Sequence, residues 1–124
     1  MILLSASKIS KSFGITEILK EISFSVNSGE KIGILGVNGA GKSTLVRCIN
    51  FIERPTSGKV YIDDKDLGSM STKELLETRR RMGMIFQQFN LLMQRTAIAN
   101  ITFPLELAGV PKAEATARAR ELLQ

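Results

Sequence analysis

The 124-residue sequence has no histidine, three prolines and a single cysteine, Cys48. Without histidine the chain brings no imidazole to any switching or proton-transferring role. With one cysteine it forms no internal disulfide. Cys48 falls on the apolar side of a helical pattern, which predicts a buried structural thiol rather than a reactive one. No stretch approaches the roughly 18 apolar residues of a membrane span, so the chain is not expected to cross a bilayer by itself. The opening "MILLSASKIS" lacks a basic leader and a long apolar block, which predicts no secretory signal and a cytosolic default. Internal repeats and low-complexity segments are also absent. The net charge of +5 could suit nucleic acid, but the excess is diffuse. Its one run, Arg79 to Arg81, closes a helical pattern, where cations favour the negative end of the helix dipole. That reading leaves no nucleic-acid surface.

What is present suits one soluble globular domain: 44% hydrophobic and 23% charged residues in a chain long enough for one core. "ISFSVN" alternates Ile22, Phe24 and Val26 with Ser23, Ser25 and Asn27, the period of a half-buried strand. "MILLSASKI" is a second strand candidate, "SFGITE" reads as the turn between them, and an antiparallel pair is predicted. After the turn "NSGE", the run Ile32, Ile34, Leu35 has the composition of a strand buried on both faces. Leu45, Cys48, Ile49 and Ile52 then recur at helical spacing. "ERPTSG" breaks that helix, and "KVYID" is a further strand ending in the turn "DDKD". "STKELLETRRR" is predicted as a helix with Ser71 as cap and Glu74 completing a capping box. "MGMIF" reads as a strand, and "TAIANITFPLELAG" as a helical pattern interrupted by Pro104. Pro111 opens a last helix with a Glu114–Arg118 pair and an apolar row at Ala115, Ala119 and Leu122. No stop signal follows before Gln124, so the chain is expected to end within or at the edge of that helix.

Between the apolar run and the first helical stripe lies "GVNGAGKST". It satisfies G-x-x-x-x-G-K-[ST] at Gly36, Gly41, Lys42 and Ser43. Glycines permit positive φ and leave no Cβ in the way, so successive N–H groups can converge on phosphate oxygens. A helix starting near Lys42 adds the positive end of its dipole, and the lysine ammonium neutralises the outer phosphates. Ser43 would place its hydroxyl on Mg²⁺, and Thr44 is positioned for an inner phosphate. A chance match in a chain of this length is on the order of one in a few hundred, and the strand-like and helix-like flanks reduce it further. The candidate cradle is therefore Gly36, Asn38, Gly39, Ala40, Gly41, Lys42, Ser43 and Thr44.

About 35 residues with an antiparallel pattern precede this loop, whereas small-molecule kinases usually carry it on the first strand. With "ERPTSGKVYIDDKDL" and "RRMGMIFQQFNLL", the arrangement resembles the nucleotide-binding subunits of ABC transporters over the whole chain. "RCINFIERPTSG" and "GMIFQQFNLLMQRTAIANITFPLELAGV" are most similar to the ATPase subunits of methionine importers. The resemblance implies an α/β fold: a P-loop NTPase core with an N-terminal antiparallel β part in residues 1–90 and the start of a helical subdomain in residues 91–124, incomplete. It implies ATP and Mg²⁺ as ligands. Gln87, matching the family's Q-loop glutamine, would contact Mg²⁺ or the attacking water, with Gln88 as the alternative register. Phe13 matches the aromatic that stacks on adenine; its alternative role is to anchor the turn. Asp64 stands where relatives usually have a turn glycine.

The implied partners are a second ATPase subunit in a head-to-tail homodimer, a transmembrane permease and, indirectly, a periplasmic or lipoprotein substrate-binding protein. The implied place is the cytoplasmic face of the membrane, held peripherally. No "LSGGQ"-like stretch occurs. "KVYIDD" is the one candidate for a metal-bearing acidic strand, and its position matches the family's antiparallel strand instead, so Asp63 and Asp64 are not assigned to metal. In the family, signature motif, Walker B strand, catalytic glutamate and switch histidine all follow the region matched here. No catalytic residue is assigned. The 124 residues alone are expected to bind nucleotide weakly or not at all, to turn none over, and to leave sheet edges unpaired. Two other readings are a non-transport ABC ATPase and a nucleotide-binding module without turnover.

Overall fold

The alternation of Ile22, Phe24 and Val26 with serines is realised in an antiparallel hairpin of β1 (Ile2–Phe13) and β2 (Thr16–Asn27). The turn is shorter than the sequence pattern suggests, because only Gly14 and Ile15 lie between the strands. The computed structural model describes residues 1–85 and 91–124 and divides into two units, Met1–Met82 and Gly83–Gln124.

In the first unit β1 pairs on its other side with β3 (Ser57–Ile62), which pairs with β4 (Lys65–Asp66), giving the antiparallel order β2-β1-β3-β4. The ladder is bulged where Lys8 and Glu21 take φ of 49° and 44°. Serine hydroxyls serve there as acceptors. The Lys8 N–H donates to Ser23 Oγ at 2.8 Å and the Glu21 N–H to Ser10 Oγ at 2.9 Å. Such local hydroxyl-to-backbone bonds keep polar groups satisfied where ladder bonds are lost. Gly58 crosses the Lys8 bulge so closely that a Cβ would lie 2.2 Å from the Lys8 carbonyl oxygen.

One face of this sheet carries α1 (Lys42–Ile49) and, through Leu75, α2 (Thr72–Arg80); the shared core is Ala6, Ile9, Leu19, Leu45, Cys48, Phe51, Val60, Leu67 and Leu75. Full burial of a side chain such as Ile9 or Val60 contributes about 1.5–3 kcal/mol. Cys48 is fully buried, and burial pushes its thiol pKa up, as expected of a structural thiol. α1 is shorter than its apolar pattern. It ends at Ile49 with Asn50 as cap, and Ile52 beyond it is exposed.

The predicted strand at Ile32–Leu35 is not formed. Residues 31–37 have no regular structure, and Ile32, Ile34, Leu35 and Val37 are exposed. A strand has no hydrogen bonds of its own. Among the described residues none is paired with this segment, so its apolar composition has nothing to act on. Gly83–Ile85 likewise lack regular structure, and the remainder of "MGMIF" lies outside the described residues.

The "DDKD" turn is the β3–β4 connection, with Asp63 and Asp64 at φ of 50° and 62°. Asp64 thus adopts the left-handed conformation for which glycine is the usual choice, and aspartate is among the few residues that tolerate it. α2 begins with the predicted capping box. The Glu74 N–H donates to Ser71 Oγ at 3.3 Å, and the Ser71 N–H donates to Glu74 Oε2 at 2.7 Å.

The second unit pairs α3 (Ala97–Leu107) with α4 (Lys112–Leu123). α3 runs through Pro104 instead of breaking there; the Thr96 hydroxyl caps its start at 3.1 Å, and Pro104 O accepts from the Ala108 N–H at 3.1 Å. A proline deletes one i→i−4 bond, and the surrounding helix bonds carry the chain across. Pro111 caps α4. Ala115 and Ala119 are fully buried while Leu122 is exposed, which narrows the expected apolar row. Arg118 pairs with Glu121 at 2.9 Å rather than with Glu114. No helix among the described residues is long and apolar enough to cross a membrane.

Candidate functional site

Gly39 and Gly41, at φ of 85° and 92°, reverse the chain ahead of α1, and the Ala40 N–H closes the turn on Val37 O at 3.1 Å. Gly41 is required for a second reason: a Cβ there would meet Ile18 Cγ2 at 2.9 Å and Leu19 Cδ2 at 3.2 Å. The loop is therefore seated directly on β2. Gly41 is also the N-cap of α1, and no side chain caps that helix. The Leu45 N–H donates to Gly41 O at 2.9 Å, so the amides of Lys42, Ser43 and Thr44 lead the helix with no carbonyl behind them. Its first turn carries no acidic residue. These are the conditions in which backbone N–H groups and the helix dipole together favour an anion.

The Lys42 ammonium donates to Gly36 O and, at 3.1 Å, to Val37 O. It folds back over the loop it terminates, so a cation and the free amides occupy one small region. Gly36 makes this closure possible, since a Cβ would lie 3.2 Å from the Ala40 Cβ. Ser43, Asn38, Gly39 and Ala40 are exposed, while Lys42 and Thr44 are half-buried. The structure thus brings the residues from Gly36 to Thr44 into one loop and helix start.

Phe13 stands at the end of β1, opposite Thr16, with its ring half exposed and the Lys11 ammonium 5.0 Å from the ring centroid. Lys11 is itself fixed by Glu53 at 3.4 Å and by donating to Arg54 O at 2.8 Å. Phe13 belongs to the hairpin whose second strand supports Gly41, and it is not part of the core. Gln87 and Gln88 lie outside the described residues. Asp63, in the β3–β4 turn, is ion-paired at 2.8 Å with Arg81 at the end of α2. Among the described residues no three His, Cys, Asp or Glu side chains are grouped as metal ligands would be.

One contact behind the candidate loop was not legible from the sequence. Arg79 of the basic run donates to the carbonyls of Asn50 (3.0 Å) and Phe51 at the far end of α1. The run is visible in the sequence, but its partners lie 28 and 29 residues away.

A family model described as ABC transporter matches residues 19–124. The chain belongs to the ABC transporter family. This ABC chain is 51% identical over 121 residues to methionine import ATP-binding protein MetN 1 of Bacillus thuringiensis subsp. konkukian, covering 97% of this chain and 36% of the relative. It is 50% identical over 115 residues to methionine import ATP-binding protein MetN of Mesorhizobium japonicum, covering 93% and 32%. It therefore spans about a third of the length of the curated relatives it matches.

Among solved structures, the dimeric ATP-binding cassette MJ0796 in a post-hydrolysis state bound to ADP and Pi superposes with a TM-score of 0.86 at 31% identity, covering 96% of this chain and 55% of that one. The cbiO1 structure from Clostridium perfringens, part of the ABC transporter complex cbiONQ, gives 0.79 at 30% identity, covering 94% and 47%. The antiparallel sheet with its helices is thus the N-terminal part of an ABC ATPase fold.

Proposed function

We propose that this chain supplies the phosphate-binding part of the ATPase of a methionine-type importer. The observation that carries the reading is the uncapped start of α1, where three leading amides and the Lys42 ammonium share one loop. Half-identity to methionine import ATP-binding proteins supports the importer assignment. In this reading the amides from Gly39 to Thr44 bind phosphate oxygens, Lys42 exchanges its loop carbonyls for the outer phosphates, and Thr44 reaches an inner phosphate. Phe13 offers the open face of its ring to adenine.

The site has the donor set for Mg²⁺. Ser43 offers a hard oxygen, and Mg²⁺ in phosphate sites takes few protein ligands beside phosphate oxygens and water. Gln87 is the second proposed ligand or water contact, its amide able to donate and accept. Bound Mg²⁺ supplies charge neutralisation on the transferring phosphoryl group. Residues 1–90 form the nucleotide-binding part and 91–124 the start of the helical part. In the full-length protein, two copies meet head to tail beneath a permease at the cytoplasmic face of the membrane, and a substrate-binding protein delivers cargo to the permease.

Titration calorimetry with ATP and Mg²⁺ on the full-length protein is expected to give saturable binding that Lys42→Ala weakens about 100-fold, the loss of one charge-assisted contact of roughly 2.7 kcal/mol. Equal affinity in the variant would contradict the reading. For cargo, ATP-dependent uptake of labelled methionine into vesicles holding the ATPase and its permease is the expected result, and uptake of an unrelated solute alone would remove the methionine assignment. The 124 residues by themselves are expected to hydrolyse no ATP; turnover that Lys42→Ala abolishes would contradict that.

A further inference from the structure

The basic run that closes α2 does more than complement a dipole. The Arg79 guanidinium crosses to the carboxyl end of α1, where Nε donates to Asn50 O at 3.0 Å and Nη2 donates to Phe51 O. Asn50 is the C-cap of α1, and Phe51, with its side chain buried, turns there at φ 60°. A bulky residue adopts that conformation only where its surroundings fix it. Arg79 is itself presented from a braced element. α2 is capped at its start by Ser71 and Glu74 and tied at its end by Arg81 to Asp63 at 2.8 Å.

α1 is consequently held at two points: Gly41 is wedged against Ile18 and Leu19 of β2, and Asn50 and Phe51 are bonded to Arg79. The helix has eight residues and a length of about 12 Å. With Gly41 seated on β2, loss of the Arg79 bonds would free the carboxyl end, and a swing of about 1 Å there would turn the helix, and the direction of its leading N–H groups, by about 5°; the action of positioned groups is sensitive to small misalignments.

We infer that Arg79 is a positioning residue for the phosphate loop: by fixing the carboxyl end of α1 it sets the direction in which the amides of Lys42, Ser43 and Thr44 point. The inference rests on the nucleotide-binding reading proposed above. A purely structural role, in which Arg79 only satisfies carbonyls at a helix end, makes a different prediction, since it affects unfolding but not affinity in the folded protein.

The test uses the full-length protein with Arg79→Met, Arg79→Lys and Ser71→Ala. The last weakens α2 at its opposite end without touching α1. Melting temperature and affinity for ATP with Mg²⁺ are measured at a temperature where near-ultraviolet circular dichroism shows each variant folded. Arg79→Met is expected to bind about tenfold more weakly. Arg79→Lys is expected to be intermediate, about threefold, because an ammonium lacks the planar fork that spans two carbonyls. Ser71→Ala should melt earlier with affinity within about twofold of the parent.

Parental affinity in a folded Arg79→Met protein would overturn the inference, as would an equal loss of affinity in Ser71→Ala. If Arg79→Met does not fold, Arg79→Lys decides: the intermediate loss supports positioning and parental affinity overturns it. The functional reading fails separately, through a Lys42→Ala protein that binds ATP as tightly as its parent.

Discussion

At the carboxyl end of α1 the carbonyls of Val46, Arg47, Cys48, Asn50 and Phe51 all accept hydrogen bonds, from the chain that follows and from Arg79. At the amino end the amides of Lys42, Ser43 and Thr44 find no acceptor in the helix, and no side chain caps them. The same chain caps α2 with a serine and a glutamate and α3 with a threonine. Capping is therefore within its means, although α4, like α1, starts without a side-chain cap. Under the proposed function the contrast gives one short helix two roles, anchor and receptor: satisfied groups fix one end, and donors without helix partners at the other are available to an anion.

The contrast is broken most severely at Gly41. An alanine there combines a strained positive φ with a Cβ 2.9 Å from Ile18, and Gly41→Ala is expected to destabilise the fold by about 3 kcal/mol. Urea unfolding measures this, and a change below about 0.5 kcal/mol would mean that the loop is not seated on β2. Lys42→Ala sharpens the contrast from the other side. Among the described residues its ammonium bonds loop carbonyls alone, so ATP affinity should collapse while the melting temperature stays within about 2 °C, as for substitutions outside a core. A large fall in melting temperature would make Lys42 a structural residue.

Cys48→Ser tests the middle of the helix. Placing a hydroxyl at a fully buried position should cost about 2 kcal/mol, measured by the same unfolding curves.

The smallest effect concerns the capped helix used for comparison. The bond that Glu74 accepts from the Ser71 backbone holds its carboxyl pKa below the ordinary value of 4.5. The stabilisation is thus present above that value and is lost as pH falls through the lower folded one. Melting temperatures of parent and Glu74→Gln should converge as the pH falls below 4.5 and through the lower folded value, whereas a gap that stays constant with pH would exclude the carboxylate as the source.

Features set by neighbours in sequence were legible. The Ser71–Glu74 box, the β1–β2 hairpin and the start of α1 behind its glycines depend on spacings of a few residues, and all three are present. Features set by distant partners were not. Ile32, Ile34 and Leu35 have strand composition, yet pairing makes a strand and no partner lies beside them among the described residues. Arg79 reads as one of three arginines until the fold delivers Asn50 and Phe51 to it. Arg118 had two acidic neighbours within helical reach, and side-chain direction chose Glu121. For the candidate site, the glycine loop ahead of a helix was legible as backbone geometry, whereas the closure of Lys42 onto Gly36 and Val37 and the Lys11 ammonium over Phe13 required coordinates.

The central claim is that main-chain amides at the head of α1 form the phosphate receptor. It is tested most directly by following backbone amide resonances in the full-length protein during titration with inorganic triphosphate and Mg²⁺. The account predicts saturable shifts concentrated at Gly39, Gly41, Lys42, Ser43 and Thr44, with the amides of Ser71 to Glu74 unmoved. Saturable shifts elsewhere, with those five amides unchanged, would contradict it.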